Sequence, residues 1–104
     1  MKKIIDGKRY DTDTATHIAN YNNGLSGSDF WWVDEDLYRT PRGNWFVHGA
    51  GGAMTRWSVS VGQNSYSGGE GIIPLGSVEA REWCEEHGFV SVLETHFSDQ
   101  LIDA

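Results

Sequence analysis

The chain has 104 residues, 38% hydrophobic and 12% aromatic, a composition that indicates one folded domain and not an intrinsically disordered protein. It has no apolar run long enough for a transmembrane helix and no signal-peptide pattern, and its lone Cys84 excludes an internal disulfide and fits a reducing cytoplasm. Residues 1–76 carry seven Lys or Arg against eight Asp or Glu, whereas residues 77–104 carry Arg81 alone against seven acids, so the net charge of −7 is concentrated near the end. Such a field repels nucleic acid and attracts basic surfaces, and we expect no direct binding of DNA or RNA.

The first segments predict a hairpin followed by a helix. Asp6-Gly7 lies between residues 2–5 and 8–10 and is a strong signal for a small β-hairpin. Residues 11–13 then carry the capping oxygens and acids of a helix start, and residues 22–24 supply a stop. We therefore expect a short, intrinsically weak helix over 13–22 that leans on a sheet, with an apolar stripe at Ala15, Ile18, Ala19 and Asn22.

Residues 29–52 predict a long β-hairpin around which the other elements are organised. Pro41-Arg42-Gly43 has the chemistry of a three-residue turn, in which Pro41 sets a type I turn and Gly43 takes the left-handed conformation. That turn predicts three cross-strand pairs: Asp36–His48, Leu37–Val47 and Tyr38–Phe46. Alternation then puts Trp31, Val33, Glu35, Leu37, Trp45 and Val47 on one face and Trp32, Asp34, Asp36, Tyr38, Phe46 and His48 on the other. Since both faces carry aromatic residues, we expect both to be at least partly covered.

The second half of the chain predicts two strands and a helix. Trp57, Val59 and Val61 alternate with polar residues and predict a half-buried strand, with a short helix near Thr55 as the alternative. A glycine-rich loop follows over residues 62–71, and residues 72–75 predict a short strand that Pro74 places at an edge or an ending.

The best helix signal covers residues 77–87. Ser77 can cap it, Gly88 supplies its stop, and its apolar stripe is Ala80, Trp83, Cys84 and His87. Residues 89–97 fit a strand or a further helix, and residues 98–104 are expected to form a loose tail. The whole pattern predicts a small single α+β domain over residues 1–104, with a twisted antiparallel sheet built on the central hairpin and packed by one or two short helices.

Candidate catalytic and metal-binding residues are sparse. The four histidines are far apart with no local ligand spacing, so we expect neither a metal site nor a cofactor. Asp36 and His48 could orient an imidazole for acid–base chemistry, but no nucleophile stands beside them, and a surface ion pair is the favoured interpretation. Cys84 lies on the apolar stripe of its helix, which favours a buried, inert thiol.

Two glycine-rich segments, residues 49–52 and 68–71, suggest a phosphate loop but lack the Lys-Ser/Thr of that motif. Turns and bulges that let the sheet bend are the favoured explanation. Together with several Trp residues, however, the two segments could wall a pocket for a small molecule or a nucleotide.

Asp34-Glu35-Asp36 is unusual because three acids inside a strand disfavour β-structure locally. A solvent-facing edge or a bulge explains them, and so does a recognition patch for a basic partner formed by carboxylates and flanking aromatics.

Four stretches form a recognisable pattern: residues 4–12, residues 37–54, Ile72-Ile73-Pro74-Leu75 and residues 79–87. Together they resemble a family of short, mostly uncharacterised proteins carried by phages, prophages and other mobile elements of bacteria, and the resemblance spans residues 2–88. Small acidic proteins in that genetic setting are often similar to inhibitors of host defence, including anti-CRISPR proteins. The resemblance thus implies action in the cytoplasm of a bacterial host.

We therefore expect a non-enzymatic, acidic protein-binding protein that occupies a basic, nucleic-acid-binding surface of a host protein such as a CRISPR effector. No contact with nucleic acid or membrane is expected. The candidate partner-binding residues are Trp32, Asp34, Glu35, Asp36, Glu79, Glu82 and Glu86. The alternative function is a small-molecule or nucleotide binder that uses the glycine-rich loops and the aromatics.

Overall fold

The computed structural model describes residues 1–104 and confirms the predicted α+β class with a central antiparallel sheet. The strands are β1 (Lys2–Ile5), β2 (Lys8–Asp11), β3 (Thr16–Asn22), β4 (Val33–Arg39), β5 (Trp45–Gly51), β6 (Val59–Gly62), β7 (Ser65–Ser67) and β8 (Gly69–Leu75). The helices are α1 (Ser77–His87) and α2 (Val90–His96), followed by a 3-10 turn at Ser98–Gln100. None of them is long and apolar enough to cross a membrane.

The central sheet has four antiparallel strands in the order β3-β4-β5-β8. Its middle is the predicted hairpin, and the predicted register is confirmed by three pairs: Asp36–His48, Leu37–Val47 and Tyr38–Phe46. The Thr40 amide donates to the Asn44 carbonyl at 2.7 Å, and Gly43 has a φ of +86°. Because that φ favours glycine, the residues of the turn set the register of the strands beside it.

Both helices cover one face of the sheet. On α1 the side chains of Ala80, Trp83 and Cys84 are buried against Leu37 and Val47 of the central strands. These three helix positions are those predicted from the apolar spacing. The helix ends as predicted at Gly88, whose φ is +75°, but it is capped by Gly76 and not by Ser77. The Gly76 amide donates to Glu79 Oε1 at 2.9 Å, so the side chain of Glu79 closes the first turn.

The N-terminal hairpin of β1 and β2 covers part of the other face. Its turn is at Asp6-Gly7 as predicted, with both residues at positive φ. Tyr10 of this hairpin packs edge-on against Phe46 of β5, with ring centroids 5.6 Å apart, and Ile72 completes this second small core. Both faces of the sheet are therefore partly covered, as expected.

The predicted helix over residues 13–22 is wrong, because Thr16–Asn22 form β3, an edge strand of the central sheet. Its register with β4 shifts between His17 and Ala19, which leaves Ile18 as a bulge. The bulge turns Ile18 and Ala19, which are consecutive residues, towards the same core. Because two adjacent residues face the core, the apolar residues do not alternate as in a regular strand, and their spacing resembles the apolar stripe of a helix.

The strand predicted from Trp57 to Val61 begins later, at Val59, and it does not join the central sheet. β6 and β7 form a separate two-stranded hairpin, the β6–β7 arm, whose residues are almost all exposed. Trp57 lies before the arm, is 5% exposed and belongs to the main core. The strand predicted at residues 72–75 is confirmed as part of β8, at an edge of the sheet.

The C-terminal segment is more ordered than expected. Residues 89–97 fit either a strand or a helix in the sequence, and in the structure Val90–His96 form α2. Phe97, which follows α2, is fully buried against Trp45, with ring centroids 4.8 Å apart. The expected loose tail is only partly present, since Gln100 donates to Ser77 Oγ at 2.7 Å and Leu101 packs on the core. Residues 102–104 have no regular secondary structure.

Candidate functional site

Glu35, the middle acid of the Asp34-Glu35-Asp36 patch, is buried and 4% exposed. It lies on the helix-facing side of β4, where its carboxylate accepts four hydrogen bonds. Oε2 accepts from Arg56 Nε at 2.9 Å and from Trp57 Nε1 at 2.7 Å. Oε1 accepts from Arg56 Nη2 and from Trp83 Nε1, both at 2.9 Å. These four residues form what we call the Glu35 cluster.

The Glu35 cluster keeps a charge inside the protein. Burial by itself would raise the pKa of Glu35, but hydrogen bonds from Trp83, Arg56 and Trp57, together with the Arg56 charge, outweigh burial and lower it. The carboxylate therefore stays ionised, and both of its oxygens are hydrogen-bonded within the protein. Glu35 cannot serve as the surface contact that the sequence suggested, because all its hydrogen-bonding capacity is directed inward.

Asp34 and Asp36 lie on the opposite face of β4 and are partly exposed. Asn20 Nδ2 donates to Asp34 Oδ1 at 2.8 Å and to Asp36 Oδ1 at 3.0 Å, and His17 Nε2 lies 2.8 Å from Asp36 Oδ1. His48 is opposite Asp36 in the register, yet its imidazole lies 3.1 Å from a carboxylate oxygen of Glu70 on β8. The favoured Asp36–His48 ion pair is thus wrong, since each residue pairs with an edge strand.

The helix acids Glu79, Glu82 and Glu86 are all exposed on α1. We call these three residues the acidic helix edge. They line a shallow groove of about 270 Å³ together with Leu75, Arg56 and Trp83. The helices cover the face of the sheet opposite to Asp34 and Asp36, so the strand acids and the helix acids do not form one surface.

A cleft of about 370 Å³ opens beside the acidic helix edge. We call it the aromatic cleft. Its lining includes the buried Glu35 and the side chains of Tyr21, Trp31, Met54, Arg56, Trp83, Glu86 and His87. Trp31 is 59% exposed and Met54 is 55% exposed, so the cleft presents two large apolar side chains to solvent. Glu86 and Arg56 line both the cleft and the groove of the acidic helix edge, so the two form a continuous surface.

The inner wall of the aromatic cleft consists of aromatic rings packed against one another. His87 stacks on Tyr21 with ring centroids 3.8 Å apart and meets Trp83 edge-on at 4.8 Å. Burial lowers the pKa of His87 and outweighs the opposing influence of Glu86 and Glu35, so the imidazole favours its neutral form. A neutral, stacked imidazole adds an apolar surface to the cleft.

Trp32, the remaining predicted contact, lines a second groove of about 370 Å³. The two glycine-rich segments meet here, because Gly51 and Gly52 adjoin Gly68 and Gly69 at one end of the sheet. We call this site the glycine groove, and its other lining residues include Gly27, Ser28, Asp29, Phe30, Ala53, Tyr66 and Ser67. The predicted convergence of glycine loops and aromatics is therefore present.

Two further candidate chemistries have little support in the geometry. Cys84 is buried and beside Glu85, and burial followed by that negative charge raises the thiol pKa to about 11, so the thiol is inert near neutral pH. No group of three or more His, Cys, Asp or Glu side chains converges in a way that could hold a metal ion.

Sequence reasoning missed Arg56, Trp57 and Trp83 as partners of Glu35. They lie 21, 22 and 48 residues away, and no local spacing links them to it. One signal was present: Glu35 falls on the apolar face of the predicted hairpin, and a carboxylate at such a position needs buried donors. Trp31 and Met54 gave no signal, since large apolar side chains are normally counted with the core.

No family model matches the chain, and neither the curated proteins nor the solved structures compared with it include a similar one. The resemblance to proteins of phages and mobile elements stays a prediction.

Proposed function

We propose that this protein is a non-enzymatic binding protein that presents the acidic helix edge and the aromatic cleft to a basic surface of another protein. The observation that carries the proposal is the continuity of these two features through Glu86 and Arg56. Carboxylates beside exposed aromatic anchors are the two components that a surface for a basic partner requires.

The carboxylates are available for an outside partner. Glu82 and Glu86 form no ion pair within the chain, since the only pair on α1 joins Arg81 and Glu85 at a distance of 3.9 Å. Glu79 uses one oxygen to accept from the Gly76 amide and keeps the other free. A basic partner therefore gains contacts without displacing internal bonds of the acidic helix edge.

Trp31 and Met54 supply the apolar part of the surface. Interfaces concentrate their binding energy in a few aromatic anchors surrounded by polar residues, and Trp is strongly enriched among such anchors. Methionine adapts its shape to different partners. The exposed Trp31 ring beside Glu86 thus fits a partner whose basic side chains are interspersed with apolar ones.

The partner class we propose is a host protein that normally holds nucleic acid, as would suit a phage-borne inhibitor of a bacterial defence system of the anti-CRISPR kind. Surfaces that bind phosphates carry clustered Lys and Arg, and an acidic helix can occupy them. Of the residues first considered, Glu79, Glu82 and Glu86 remain in the proposed contact. Glu35, Asp34 and Asp36 do not, because Glu35 is buried and the two aspartates lie on the opposite face of β4.

The test is capture of proteins from bacterial lysate on three immobilised proteins. They are the wild type, the double variant Glu82→Lys/Glu86→Lys and a control, Glu94→Lys/Asp103→Lys, which reverses the charge of one acid on α2 and one in the C-terminal segment. The control changes the net charge equally at exposed acids outside the proposed surface. We expect basic, nucleic-acid-handling proteins to be retained by the wild type and the control, released by salt, and lost from the acidic-edge variant.

The identified partner is then titrated with Trp31→Ala and with the double variant, each of which should bind about tenfold more weakly or worse. Excess DNA should compete with the wild-type protein for the same partner. Identical sets of proteins on all three matrices, or a partner that binds DNA and this protein independently, would contradict the proposal.

A further inference from the structure

The glycine groove offers a second site whose chemistry differs from that of the acidic helix edge. Its walls carry Phe30, which is 67% exposed, Tyr66, which is 64% exposed, and the half-buried Trp32. A Cβ on Gly52 would collide with the backbone of residues 29–30, and one on Gly68 with the Gly51 carbonyl. Glycine at both positions therefore lets the backbone segments that line the groove approach one another closely, and most of the apolar lining comes from the aromatic walls.

The charges around the groove disfavour anionic ligands. None of its twelve lining residues is Lys, Arg or His, and the only charged one is Asp29. Phosphate groups are commonly held by cationic side chains or a helix N-terminus, and neither lines this groove, where Asp29 would repel a phosphate. The groove instead suits a neutral or cationic ligand with apolar rings.

Two aromatic side chains of the walls carry hydrogen-bond donors that have no partner within the protein. Trp32 Nε1 and the Tyr66 hydroxyl make no hydrogen bond within the protein, whereas Trp57 and Trp83 both donate their indole N–H groups to Glu35. Asp29 Oδ1 accepts from the Trp31 amide at 2.8 Å, which leaves Oδ2 free at the rim. A ligand therefore meets aromatic faces, two unpaired donors and one negative charge.

We propose that the glycine groove binds a proline-rich segment in the polyproline II conformation, with a basic residue next to the prolines. Proline rings pack on aromatic faces, and the carbonyls of such a segment accept from indole and hydroxyl donors. Prolines bring no backbone N–H that would need an acceptor in the groove. The basic residue pairs with Asp29, in keeping with the net charge of −7.

The size of the site agrees with a short segment. A volume of about 370 Å³ lies at the low end of the roughly 300–1,000 Å³ of ligand pockets. A polyproline segment loses little conformational entropy on binding because it is already extended, so a small contact area can hold it. This inference goes beyond the proposed function, since it needs neither the acidic helix edge nor Trp31.

The test is a titration of the whole protein with a synthetic peptide of consecutive prolines ending in arginine, followed by tryptophan fluorescence and by amide shifts in NMR spectra. We expect saturable binding with shifts confined to residues 27–32, 51–53 and 66–69. Tyr66→Ala should weaken binding about tenfold, as truncation of an aromatic anchor does. Tyr66→Phe, which removes only the hydroxyl, should weaken it less.

Matched variants separate this site from the other one. Val61→Ala is on the same arm and is 62% exposed, but Val61 does not line the groove, so this variant should bind the peptide like the wild type. Trp31→Ala should also leave peptide affinity unchanged. Asp29→Asn keeps an acceptor for the Trp31 amide and should only remove the salt dependence of binding.

The inference is overturned if Tyr66→Ala binds the peptide as tightly as the wild type, or if a peptide with alanine in place of proline binds equally well. It is overturned as well if neutral oligosaccharides bind at these residues and displace the peptide, which would make the groove a sugar site. Retained peptide binding with lost capture of a basic partner would reject the proposed function alone.

Discussion

At the scale of single residues, Glu35 balances the cost of burying a charge against four hydrogen bonds. Indole N–H groups can only donate, so Trp57 and Trp83 both need an acceptor inside the core. Arg56 adds a bidentate pair, and its guanidinium carbon also lies over the Trp57 ring, 5.2 Å from the ring centroid. One carboxylate thereby fixes the positions of two tryptophans, and through Trp83 it fixes a wall of the aromatic cleft.

Replacing this carboxylate should destabilise the protein strongly. Glu35→Gln keeps the shape but removes the charge that Arg56 faces, and its amide NH₂ would point at an indole donor. We expect a loss of about 3 kcal/mol in the free energy of unfolding, as for other broken buried pairs, measured by urea denaturation. Asp34→Asn is the control on the same strand, with an expected change below about 0.5 kcal/mol. Equal stability of Glu35→Gln and the wild type would show that the cluster is not needed for the fold.

At the scale of the elements, glycines permit a close approach between Trp57 and the central sheet. Gly49 on β5 has an ordinary backbone conformation, but a Cβ there would overlap the Trp57 ring. Gly7 differs, because its φ is +75° while the space around it is open. Close packing therefore requires glycine at Gly49, whereas the backbone conformation favours glycine at Gly7.

The two glycines predict different costs of substitution. Gly49→Ala should lower the free energy of unfolding by about 1–3 kcal/mol through overpacking and should shift the fluorescence of Trp57. Gly7→Ala should cost about 1–2 kcal/mol, the strain of a left-handed residue, without a fluorescence change. Urea denaturation and emission spectra of both variants check this. An unchanged emission spectrum for Gly49→Ala would contradict the proposed contact with Trp57.

Elements defined by local chemistry were predictable from the sequence. The turn at Gly43, the turn at Asp6-Gly7 and the stop at Gly88 all rest on residues that favour one backbone conformation, and all three are confirmed. β3 was mistaken for a helix because the bulge at Ile18 breaks the alternation on which strand prediction depends. The sequence gives no sign of a bulge until the partner strand is known.

The candidate site was less predictable than the fold, because its contacts are long-range. Trp31 and Trp32 are neighbours, yet one lines the aromatic cleft and the other lines the glycine groove. Alternation predicts that they point to different sides, but it does not predict what each side contains. The convergence of Gly51 and Gly68 depends on the β5–β8 pairing, which no local pattern indicates.

At the scale of the whole molecule, the buried Glu35 and the half-buried His87 make stability depend on pH. Burial lowers the pKa of His87. Burial alone would raise the pKa of Glu35, but the hydrogen bonds from Trp83, Arg56 and Trp57 and the positive charge of Arg56 lower it. In both cases the unfolded chain holds a proton more readily than the folded protein does. Each group therefore makes its full contribution to stability at a pH above its ordinary pKa, which is 6.5 for His87 and 4.5 for Glu35. The free energy of unfolding decreases as the pH falls from that ordinary pKa through the lower pKa of the folded protein.

We expect stability to decline first below about pH 6.5 through His87 and then more steeply below about pH 4.5 through Glu35. Urea denaturation across this range measures the decline. The variant His87→Gln should lack only the part of this decline that begins below about pH 6.5. Its free energy of unfolding relative to the wild type should therefore increase as the pH falls from about 7 to about 5. A constant difference between the two proteins over that interval would contradict the assignment to His87.

The Glu35 cluster also bears on the order in which the chain folds. The hairpin of β4 and β5 joins neighbouring segments and can form early, but two of its partners arrive from 21 and 48 residues away. Until Arg56 and Trp83 are in place, the carboxylate keeps its hydration shell, because a lone buried charge is too costly. We therefore expect dehydration of the core and docking of α1 to occur together in a late step of folding, so that a partly folded molecule keeps a hydrated, open sheet.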